Sequence, residues 1–435
     1  MGKRNREYFD WTVKEMIFIN NVLIFTVEAI KVLFVLGILI FIHELGHFTV
    51  AKAVGIKVHE FALGFGRKLL SFTKGETTYS LRLIPMGGFV KMEGEEEESD
   101  DERAFNKKSI AARLAVVFAG PLMNIVLAFL LIVYLIFMSG NITSTKISGV
   151  EKGTNAEKVG LKAGDKIIDL DGEKITYWDD INWHMMRTRK KDTLITVIRN
   201  GKRETFNVQT YMELGFKLDS NNKVIGLEKD SSLTKLGLKN DDTIKKINDI
   251  KVNTPEEVYN VIKSQDTKEI KFLVLNNKKE AEKSFDASVI RRYLMGIYAD
   301  NYKGNASELF KYSIYKNIFL TKLMTVGIYE LFTGKVSLNQ VMGPVGIISE
   351  ISSRKIIEDL LFLIAIISLN LGIINLVPIP PLDGGKILTL SIEGIRKKPI
   401  KPETEARISM IGFSLLILLM IVATYNDILR TLASG

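Results

Sequence analysis

The sequence predicts a polytopic α-helical membrane protein with four transmembrane helices, a small membrane-associated β-sheet and two α+β domains outside the cytoplasm. Three observations predict this fold class: long apolar runs, a strand-like segment between the first two runs, and an internal repeat in a polar insert. The chain has 435 residues, which is too many for one ordinary core. Its hydrophobic residues, 46% of the total, are clustered and not evenly spread.

Four apolar runs are long enough to span a bilayer, which takes about 20 apolar residues. They occupy 17–50, 114–138, 360–382 and, shorter but nearly pure, 408–424. With their flanking residues, the transmembrane helices are predicted at 16–54, 111–139, 356–385 and 405–430.

The ends of the spans predict the orientation. Residues 1–15 are a polar, basic extension, and Met16 is an alternative start. No small-residue cleavage site follows the first run, so we expect no cleavable signal peptide. Basic residues follow the first span and fill the short loop 394–401, which the positive-inside rule assigns to the cytoplasm. We therefore expect a multi-pass protein of the inner (cytoplasmic) membrane whose long insert lies outside.

The net charge of +9 fits this orientation by basic loops. The aromatic–basic interleaving of an RNA-binding protein does not appear, so we expect no nucleic-acid partner. The partners expected are the lipid bilayer and other membrane proteins, and the chain is expected to act as a monomer.

Residues 55–110 combine a strand-like segment with an acidic loop. Residues 56–92 carry β-branched and aromatic residues with glycine punctuation, which is typical of short strands. The run "EGEEEESDDERAF" (93–105) is typical of a solvated cytoplasmic loop.

The insert contains an internal repeat. Residues 149–175 align without gaps to 226–252 at an offset of 77, with 10 of 27 positions identical. A repeat of this length indicates two domains, predicted at 144–212 and 213–298. In the second copy Asp241 and Asp249 replace two turn glycines, Gly164 and Gly172, so this copy is predicted to be divergent.

Residues 303–340 follow the insert and are apolar but interrupted by charges. Such a pattern favours an amphipathic helical region lying on a membrane over a further span.

The stretch "FIHELGHFTV" (41–50) carries the chemistry. His43 and His47 are four residues apart on a predicted helix, so both imidazoles can reach one metal ion, while Glu44 can take a proton from water without being a ligand. Gly46 keeps that turn slim. Polar residues of a buried helix satisfied by their neighbours would give the same pattern. Three ionisable residues in five positions of a span, however, mark a functional site.

Zinc takes a third protein ligand and keeps one position open. The chain has no cysteine, which excludes thiolate ligands. Two further histidines exist: His184 lies in the insert, and His59 is possible. Asp383 is favoured, since it is the first charge after the uncharged run 360–382 and follows helix-stopping prolines at the level of the histidines. A helix-end aspartate at the membrane interface is the alternative.

Several quoted motifs together resemble one family. They are "HELGH", "PMGGFVKM" (85–92), "AGPLMN" (119–124), "GPVGI" (343–347) and "NLGIINLVPIPPLDGGKI" (370–387). Their order and spacing resemble the site-2 protease family (peptidase M50), the zinc metalloproteases that cut within membranes, and its bacterial branch with tandem PDZ domains. The repeat copy "GLKAGDKIIDLDGEKI" is similar to a bacterial PDZ domain.

The resemblance implies a role for each matching residue. It implies Zn²⁺ as cofactor, His43, His47 and Asp383 as its ligands, and Glu44 as general base. The substrate-binding residues that it implies are Asn375, Pro378, Asn124 and the Gly87–Gly88–Phe89 segment of a membrane-dipping β-loop. The 303–335 region would help to admit substrate.

The activity implied is that of a zinc metalloendopeptidase that hydrolyses peptide bonds within transmembrane segments of single-span proteins. Regulated intramembrane proteolysis would release anti-sigma factors or remove signal-peptide remnants, with the PDZ domains limiting or docking the substrate. The active site would lie near the cytoplasmic side. Two alternatives from other classes are a membrane scaffold that binds outer peptides and a zinc transporter or sensor.

Overall fold

The computed structural model describes residues 4–434 except 96, 98, 189–191, 228–231, 265–266, 268, 277–278, 336–341, 355, 399 and 401. Small parts of the predicted extension 1–15 and of the predicted amphipathic region 303–340 thus lie outside the described residues. The chain divides into two compact units, Met1–Ser139 with Phe310–Asn426 and Gly140–Leu309 with Asp427–Gly435.

The helices, in chain order, are α1 Arg4–Ala53, α2 Ile110–Ser139, α3 Asn155–Lys158, α4 Trp178–Thr188, α5 Ser232–Lys235, α6 Pro255–Ser264, α7 Ala287–Ile290, α8 Ala306–Phe332, α9 Pro344–Ser353, α10 Ile357–Asn375, α11 Asp383–Arg396 and α12 Pro402–Ser434. The strands are β1 Val58–Lys74, β2 Thr77–Met92, β3 Asn141–Val150, β4 Lys166–Leu170, β5 Glu173–Lys174, β6 Asp192–Arg199, β7 Lys202–Gln209, β8 Tyr211–Leu214, β9 Lys217–Leu218, β10 Val224–Ile225, β11 Thr243–Ile247, β12 Ile250–Lys251, β13 Glu269–Asn276, β14 Lys279–Asp286, β15 Arg291–Leu294 and β16 Ile297–Lys303.

Four helices are long and apolar enough to cross a membrane, which confirms the predicted fold class. Among the described residues they are Thr26–Ala53 of α1, α2, α10 and Glu403–Leu429 of α12. The amphipathic α8 is not among them, as predicted for a helix with interspersed charges.

Two helix ends differ from the prediction. Helix α1 begins at Arg4, so most of the polar extension continues the first span as helix. Helix α10 ends at Asn375, ten residues before the predicted end of the third span. Prolines at 378, 380 and 381 explain the early end, because they lack the N–H that a continuing helix requires. A new helix then begins at Asp383.

The sheet between the first two spans consists of two long bent strands and not of several short ones. Residues 58–63 of β1 pair on both sides with β2: Ala62, for example, opposes both Phe89 and Ser80. The later part of β1 pairs with 77–81, so four segments lie in the order 88–92, 58–63, 77–81 and 68–74, in which 58–63 runs antiparallel to 88–92 and parallel to 77–81. Segment 88–92 therefore forms one edge of this described sheet.

Small residues allow α1, α2 and α10 to pack closely. A Cβ added to Gly46 of α1 would lie 2.7 Å from the carbonyl carbon of Ala119, and one added to Gly372 of α10 would lie 2.9 Å from the carbonyl oxygen of Pro121. Small residues at helix contacts are typical of membrane bundles, where backbones approach without a hydrophobic driving force. Helix α2 thereby packs closely against both α1 and α10 at neighbouring positions, Ala119 and Pro121.

In the second unit, the two repeat copies share part of their strand arrangement, since β5-β4-β6-β7 of the first matches β12-β11-β13-β14 of the second. The first forms the order β16-β3-β4-β6-β7, with β5 on β4, and the second forms β12-β11-β13-β14. Each copy has its own hydrophobic core, around Ile167 and Ile195 in the first and around Ile244 and Phe272 in the second. Asp241 nevertheless adopts a left-handed φ (76°), close to that of Gly164 (96°), so this turn is retained in the second copy.

The two copies are nested and not simply consecutive. Strand β16 lies beyond the second copy in sequence, yet it pairs with β3 and forms the edge of the first sheet. Strands β8 and β15 pair with each other where the chain enters and leaves the second copy. The first sheet is thus completed only after residue 296, and β8 (Tyr211–Leu214) runs across the boundary predicted between 212 and 213.

Candidate active site

Three predicted ligand residues come together at one point. His43 and His47 lie one turn apart on α1, and Asp383 is the first residue of α11. Among the described residues, these form the one group of three or more His, Cys, Asp or Glu side chains whose ligand atoms all lie within 4.8 Å of one another. The side chains are largely buried, with about a tenth to a fifth of their surface exposed.

The distances within the group fit a tetrahedral ion. Nε2 of His43 lies 3.3 Å from Nε2 of His47 and 3.1 Å from Oδ2 of Asp383, and the third separation, His47 to Asp383, is 3.6 Å. Ligand atoms placed about 2.0–2.1 Å from zinc at tetrahedral angles are about 3.3 Å apart. Two imidazole nitrogens and one carboxylate oxygen are also zinc's usual donor types, so the residues present fit this metal.

Helix α2 orients His47. Nδ1 of His47 donates to the backbone carbonyl of Val116 at 2.9 Å. An oxygen that can only accept requires Nδ1 to carry the proton, which leaves the Nε2 lone pair on the side of Asp383. Gly120, on the next turn of α2, leaves the space that the His47 ring occupies, because a Cβ there would lie 2.6 Å from its Cε1.

A tight turn positions Asp383. A Cβ on Gly384 would lie 2.5 Å from the carbonyl carbon of Leu376, and one on Gly385 would lie 2.5 Å from the nitrogen of Pro380. Gly412 of α12 packs on the same loop, where a Cβ would lie 2.6 Å from the carbonyl carbon of Pro380. The "LDGG" sequence thus folds α11 back onto the proline loop.

Glu44 faces the edge of the sheet. Gly88 packs against it so closely that a Cβ would lie 2.8 Å from Cγ of Glu44 and 3.0 Å from the carbonyl oxygen of Ala62. Gly87 has a φ of 104°, a conformation that favours glycine, and the Phe65 ring packs against it. Phe89 stacks on Phe65, with ring centroids 6.2 Å apart. The predicted Gly87–Gly88–Phe89 segment is therefore next to Glu44.

The remaining predicted residues have different surroundings. Asn375 is half-buried at the end of α10, and Pro378 is exposed on the loop that leads to Asp383. His59, the alternative third ligand, lies away from the group and bonds Oε2 of Glu93 at 2.5 Å. Asn124 is fully buried, and its amide nitrogen lies 3.2 Å from Nδ1 of His43. His184 bonds Asp171 and Glu173 in the other unit.

The acidic run contributes a contact that the sequence did not predict. Lys386, one turn after Asp383 on α11, pairs with Glu95 at 2.6 Å and lies 4.9 Å from the centroid of the Phe105 ring. Glu93 and Asp101 also pair with basic residues of this unit. Ion pairs thus tie this loop to the rest of its unit at three positions, and the one available signal in the sequence was the proximity of lysines to both ends of the run.

Comparison with known proteins gives a consistent result. The model of the family described as Peptidase family M50 matches residues 31–419. A protein named as a zinc metalloprotease from Clostridium acetobutylicum is 33% identical over 90% of this chain and 94% of its own length. The regulator of sigma-W protease RasP from Bacillus subtilis is 31% identical over 95% of this chain and 99% of its own length. The zinc metalloprotease RasP of Geobacillus kaustophilus is 31% identical over 93% and 98%.

Proposed function

Because this chain belongs to peptidase family M50 and is a RasP-like intramembrane zinc metalloprotease, we propose that His43, His47 and Asp383 hold its zinc and that Glu44 is its general base. The observation that carries the proposal is the triangle of ligand atoms, 3.1–3.6 Å on a side, between α1 and α11. Family membership and this donor set favour a protease over the scaffold and transporter alternatives.

When bound, zinc acts as a Lewis acid that makes water a nucleophile near neutral pH. Glu44 accepts a proton from the attacking water, whose oxygen bonds to the carbonyl carbon of the peptide. The C–N bond then breaks, and Glu44 gives the proton to the leaving amine nitrogen. Its position beside the ligand histidines, one residue from His43, suits this exchange.

The sheet edge supports a way to present the substrate. A helical substrate hides its carbonyls in hydrogen bonds, so it must unwind before water can attack. Segment 88–92 has its free edge beside Glu44, and an extended peptide added to that edge would have its backbone held next to the general base. The substrates proposed are single-span membrane proteins that can unwind near the cytoplasmic side, such as anti-sigma factors or signal-peptide remnants.

The test of the catalytic assignment separates chemistry from metal binding. Purified Glu44→Gln and Asp383→Asn proteins are compared with wild type for zinc content and for cleavage of a tagged single-span substrate. We expect Glu44→Gln to keep zinc and to lose cleavage at least 100-fold, as for removal of a general base. Asp383→Asn should lose both. Glu97→Gln, at an exposed position of the acidic run, is the control and should change neither. Cleavage by Glu44→Gln at the wild-type rate would overturn the assignment.

We also propose that the two repeat copies are extracytoplasmic PDZ domains that limit access by substrate size. A bulky outer domain on the substrate would collide with them, whereas a trimmed substrate would not. Deletion of 145–300 should then allow cleavage of untrimmed substrates, and unchanged discrimination would exclude the filter in favour of docking.

The absence of cysteine makes the orientation directly testable. Single cysteines at Glu97 and Asn221 can be labelled in intact cells with an impermeant maleimide. Labelling of Asn221→Cys without Glu97→Cys is expected, and the reverse pattern would place the insert in the cytoplasm.

A further inference from the structure

Asn124 is a fully buried polar side chain directly behind His43. It lies on α2, and its side chain contacts His43 across the α1–α2 interface, with 3.2 Å between the amide nitrogen and Nδ1. Its other amide atom, Oδ1, is buried and has no hydrogen-bond partner among the described residues. An amide at such a site needs a physical explanation, because burying a polar atom without a hydrogen-bond partner destabilises the folded state.

The backbone around Asn124 fixes its position. Its carbonyl oxygen accepts a hydrogen bond from the hydroxyl of Ser368 on α10 at 2.8 Å. One turn further along α10, Gly372 packs on the carbonyl of Pro121. Asn124 is thus held between α2 and α10, with no surface exposed for direct contact with a substrate. This placement differs from the substrate-binding role implied by the family resemblance.

The requirement of a metal ligand decides how the amide must point. A neutral imidazole that offers the Nε2 lone pair to a metal carries its proton on Nδ1, so Nδ1 of His43 must donate. An amide nitrogen is itself a donor and cannot accept that proton. A half-turn about the terminal C–C bond of asparagine exchanges the positions of its amide oxygen and nitrogen. Which of the two atoms faces His43 is therefore assigned from the hydrogen-bond network. Either orientation leaves one amide atom unpaired, so the requirement at His43 is what distinguishes them.

His47 shows the same arrangement with a backbone partner. Its Nδ1 faces the carbonyl oxygen of Val116, which can only accept. The two ligand histidines would then both be oriented by acceptors of α2, placed two turns apart at 116 and 124.

We propose that Asn124 is a positioning residue whose amide oxygen accepts the Nδ1–H of His43 and holds the tautomer that presents Nε2 to zinc. This inference rests on the proposed ligation of zinc by His43. It assigns Asn124 to the metal site through His43, without contact to the substrate.

The test uses full-length protein in detergent and measures zinc affinity by competition with a chromogenic chelator. Asn124→Leu keeps the volume but has no acceptor, whereas Asn124→Asp keeps an oxygen that can accept from His43. We expect Asn124→Leu to weaken zinc binding by about 10–100-fold, the usual cost of losing such a partner, and Asn124→Asp to stay within about threefold of wild type or bind more tightly. The visible spectrum of the Co²⁺-substituted protein should be that of wild type in Asn124→Asp and altered in Asn124→Leu.

The outcomes separate this inference from the site on which it rests. If Asn124 only fills space, leucine should replace it, so wild-type affinity in Asn124→Leu overturns the proposal. Asn124→Asp binding no better than Asn124→Leu also overturns it. A raised KM with unchanged zinc affinity in Asn124→Leu would show a substrate-binding residue instead. His43→Ala is the reference: if it retains full zinc affinity, the ligand assignment fails, whatever Asn124 does.

Discussion

Gly120 of α2 lies against the imidazole ring of His47 of α1, with the ring filling the space that a Cβ at position 120 would need. The distance from that Cβ position to Cε1 would be 2.6 Å, so the ring or the helix would have to move. Since Nδ1 of the same ring bonds the carbonyl oxygen of Val116 at 2.9 Å, a shift of the ring relative to α2 also disturbs that bond.

Gly120→Ala is therefore expected to lower zinc affinity and cleavage together by at least tenfold. A displacement of about 1 Å at a catalytic centre is enough for a loss of this size. Zinc content after dialysis and cleavage of a single-span substrate measure the effect. Gly37→Ala is the matched control, because it lies in the same helix bundle with no atom within 4 Å of its Cβ position. Equal losses in both variants would mean that general helix packing, and not the ring of His47, is responsible.

The sequence predicted the ligand set although its members are about 340 residues apart. Charge is costly within a span, so His43, His47 and the first charged residue after the uncharged run 360–382 stood out against their surroundings. The four spanning helices followed from the length of the apolar runs for the same reason.

The parts that could not be predicted depend on contacts between distant segments. Nothing local indicates that β16 pairs with β3 across the intervening second copy, or that 58–63 pairs with β2 on both sides. The close contact of Gly120 with His47 is also a matter of helix packing, since a glycine within an apolar run does not reveal its neighbour. That the turn at Asp241 is retained could not be read from the sequence either, because replacement of a turn glycine does not show whether the new residue keeps the left-handed conformation, which aspartate tolerates better than most residues.

Arg113 of α2 and Glu393 of α11 form a largely buried ion pair at 3.0 Å, and Glu393 also accepts from the backbone N–H of Ile400 at 2.9 Å. This pair holds the far end of the helix that begins with Asp383. Loss of one partner leaves an uncompensated buried charge, so Glu393→Gln and Arg113→Gln should each lower the free energy of unfolding by about 3–5 kcal/mol.

Thermal unfolding of the two single variants and the double variant in detergent gives the coupling between the residues. We expect the double variant to be clearly more stable than the sum of the single losses predicts. Strict additivity would contradict a direct interaction between Arg113 and Glu393.

The outer turns of the β1–β2 sheet expose a set of large apolar side chains. Phe65, Leu69, Leu70, Phe72, Leu83 and Ile84 are between 45% and 69% exposed. Single exposed hydrophobic residues are normal on a protein surface, whereas a patch of six on one hairpin indicates an interaction surface. We predict that this patch dips into the bilayer. Leu70→Trp fluorescence in vesicles should be quenched by brominated lipid. Ile250→Trp, an equally apolar exposed site in the other unit, should not be.

Glu76 connects the tip of the β1–β2 turn to the acidic run. Its carboxylate accepts from both guanidinium nitrogens of Arg103 at 2.6 and 2.7 Å and from Lys52 at 2.5 Å. The bonds from Arg103, and then that from Lys52, lower the pKa of Glu76 from an ordinary 4.5 to about 2. A depressed pKa stabilises the folded state above the unfolded-state pKa, and this contribution falls as the pH drops from about 4.5 towards 2.

Wild type should accordingly melt at a higher temperature than Glu76→Gln at pH 6, and the difference should shrink at pH 3. Asp100→Asn serves as a control, because the pair of Asp100 with Lys107 is solvent-exposed and contributes little. A difference for Glu76→Gln that is constant with pH would contradict the role of its charge.

The two repeat copies retain one buried aspartate but pair it differently. In the first copy Asp165 bonds Arg199 at 2.6 Å. At the matching position of the second copy, Asp242 faces Asn276, an uncharged residue, and Lys283 of the adjacent strand supplies the positive charge at 2.7 Å. In the second copy the positive charge that neutralises this aspartate thus comes from the neighbouring strand. Lys283 and Asp242 are 9% and 0% exposed, so Lys283→Met leaves a buried carboxylate unpaired and should destabilise this copy by about 3–5 kcal/mol.

Hydrogen exchange of the full-length protein measures this loss locally, as faster exchange in β11 and β13 with unchanged exchange in β4 and β6. Lys223→Met is the matched control: its pair with Asp241, also 2.7 Å long, is 41% and 70% exposed, so the loss should stay below about 1 kcal/mol. Equal effects of the two substitutions would show that burial does not set the strength of these pairs. Faster exchange in β4 and β6 as well would mean that the nested copies unfold as one unit.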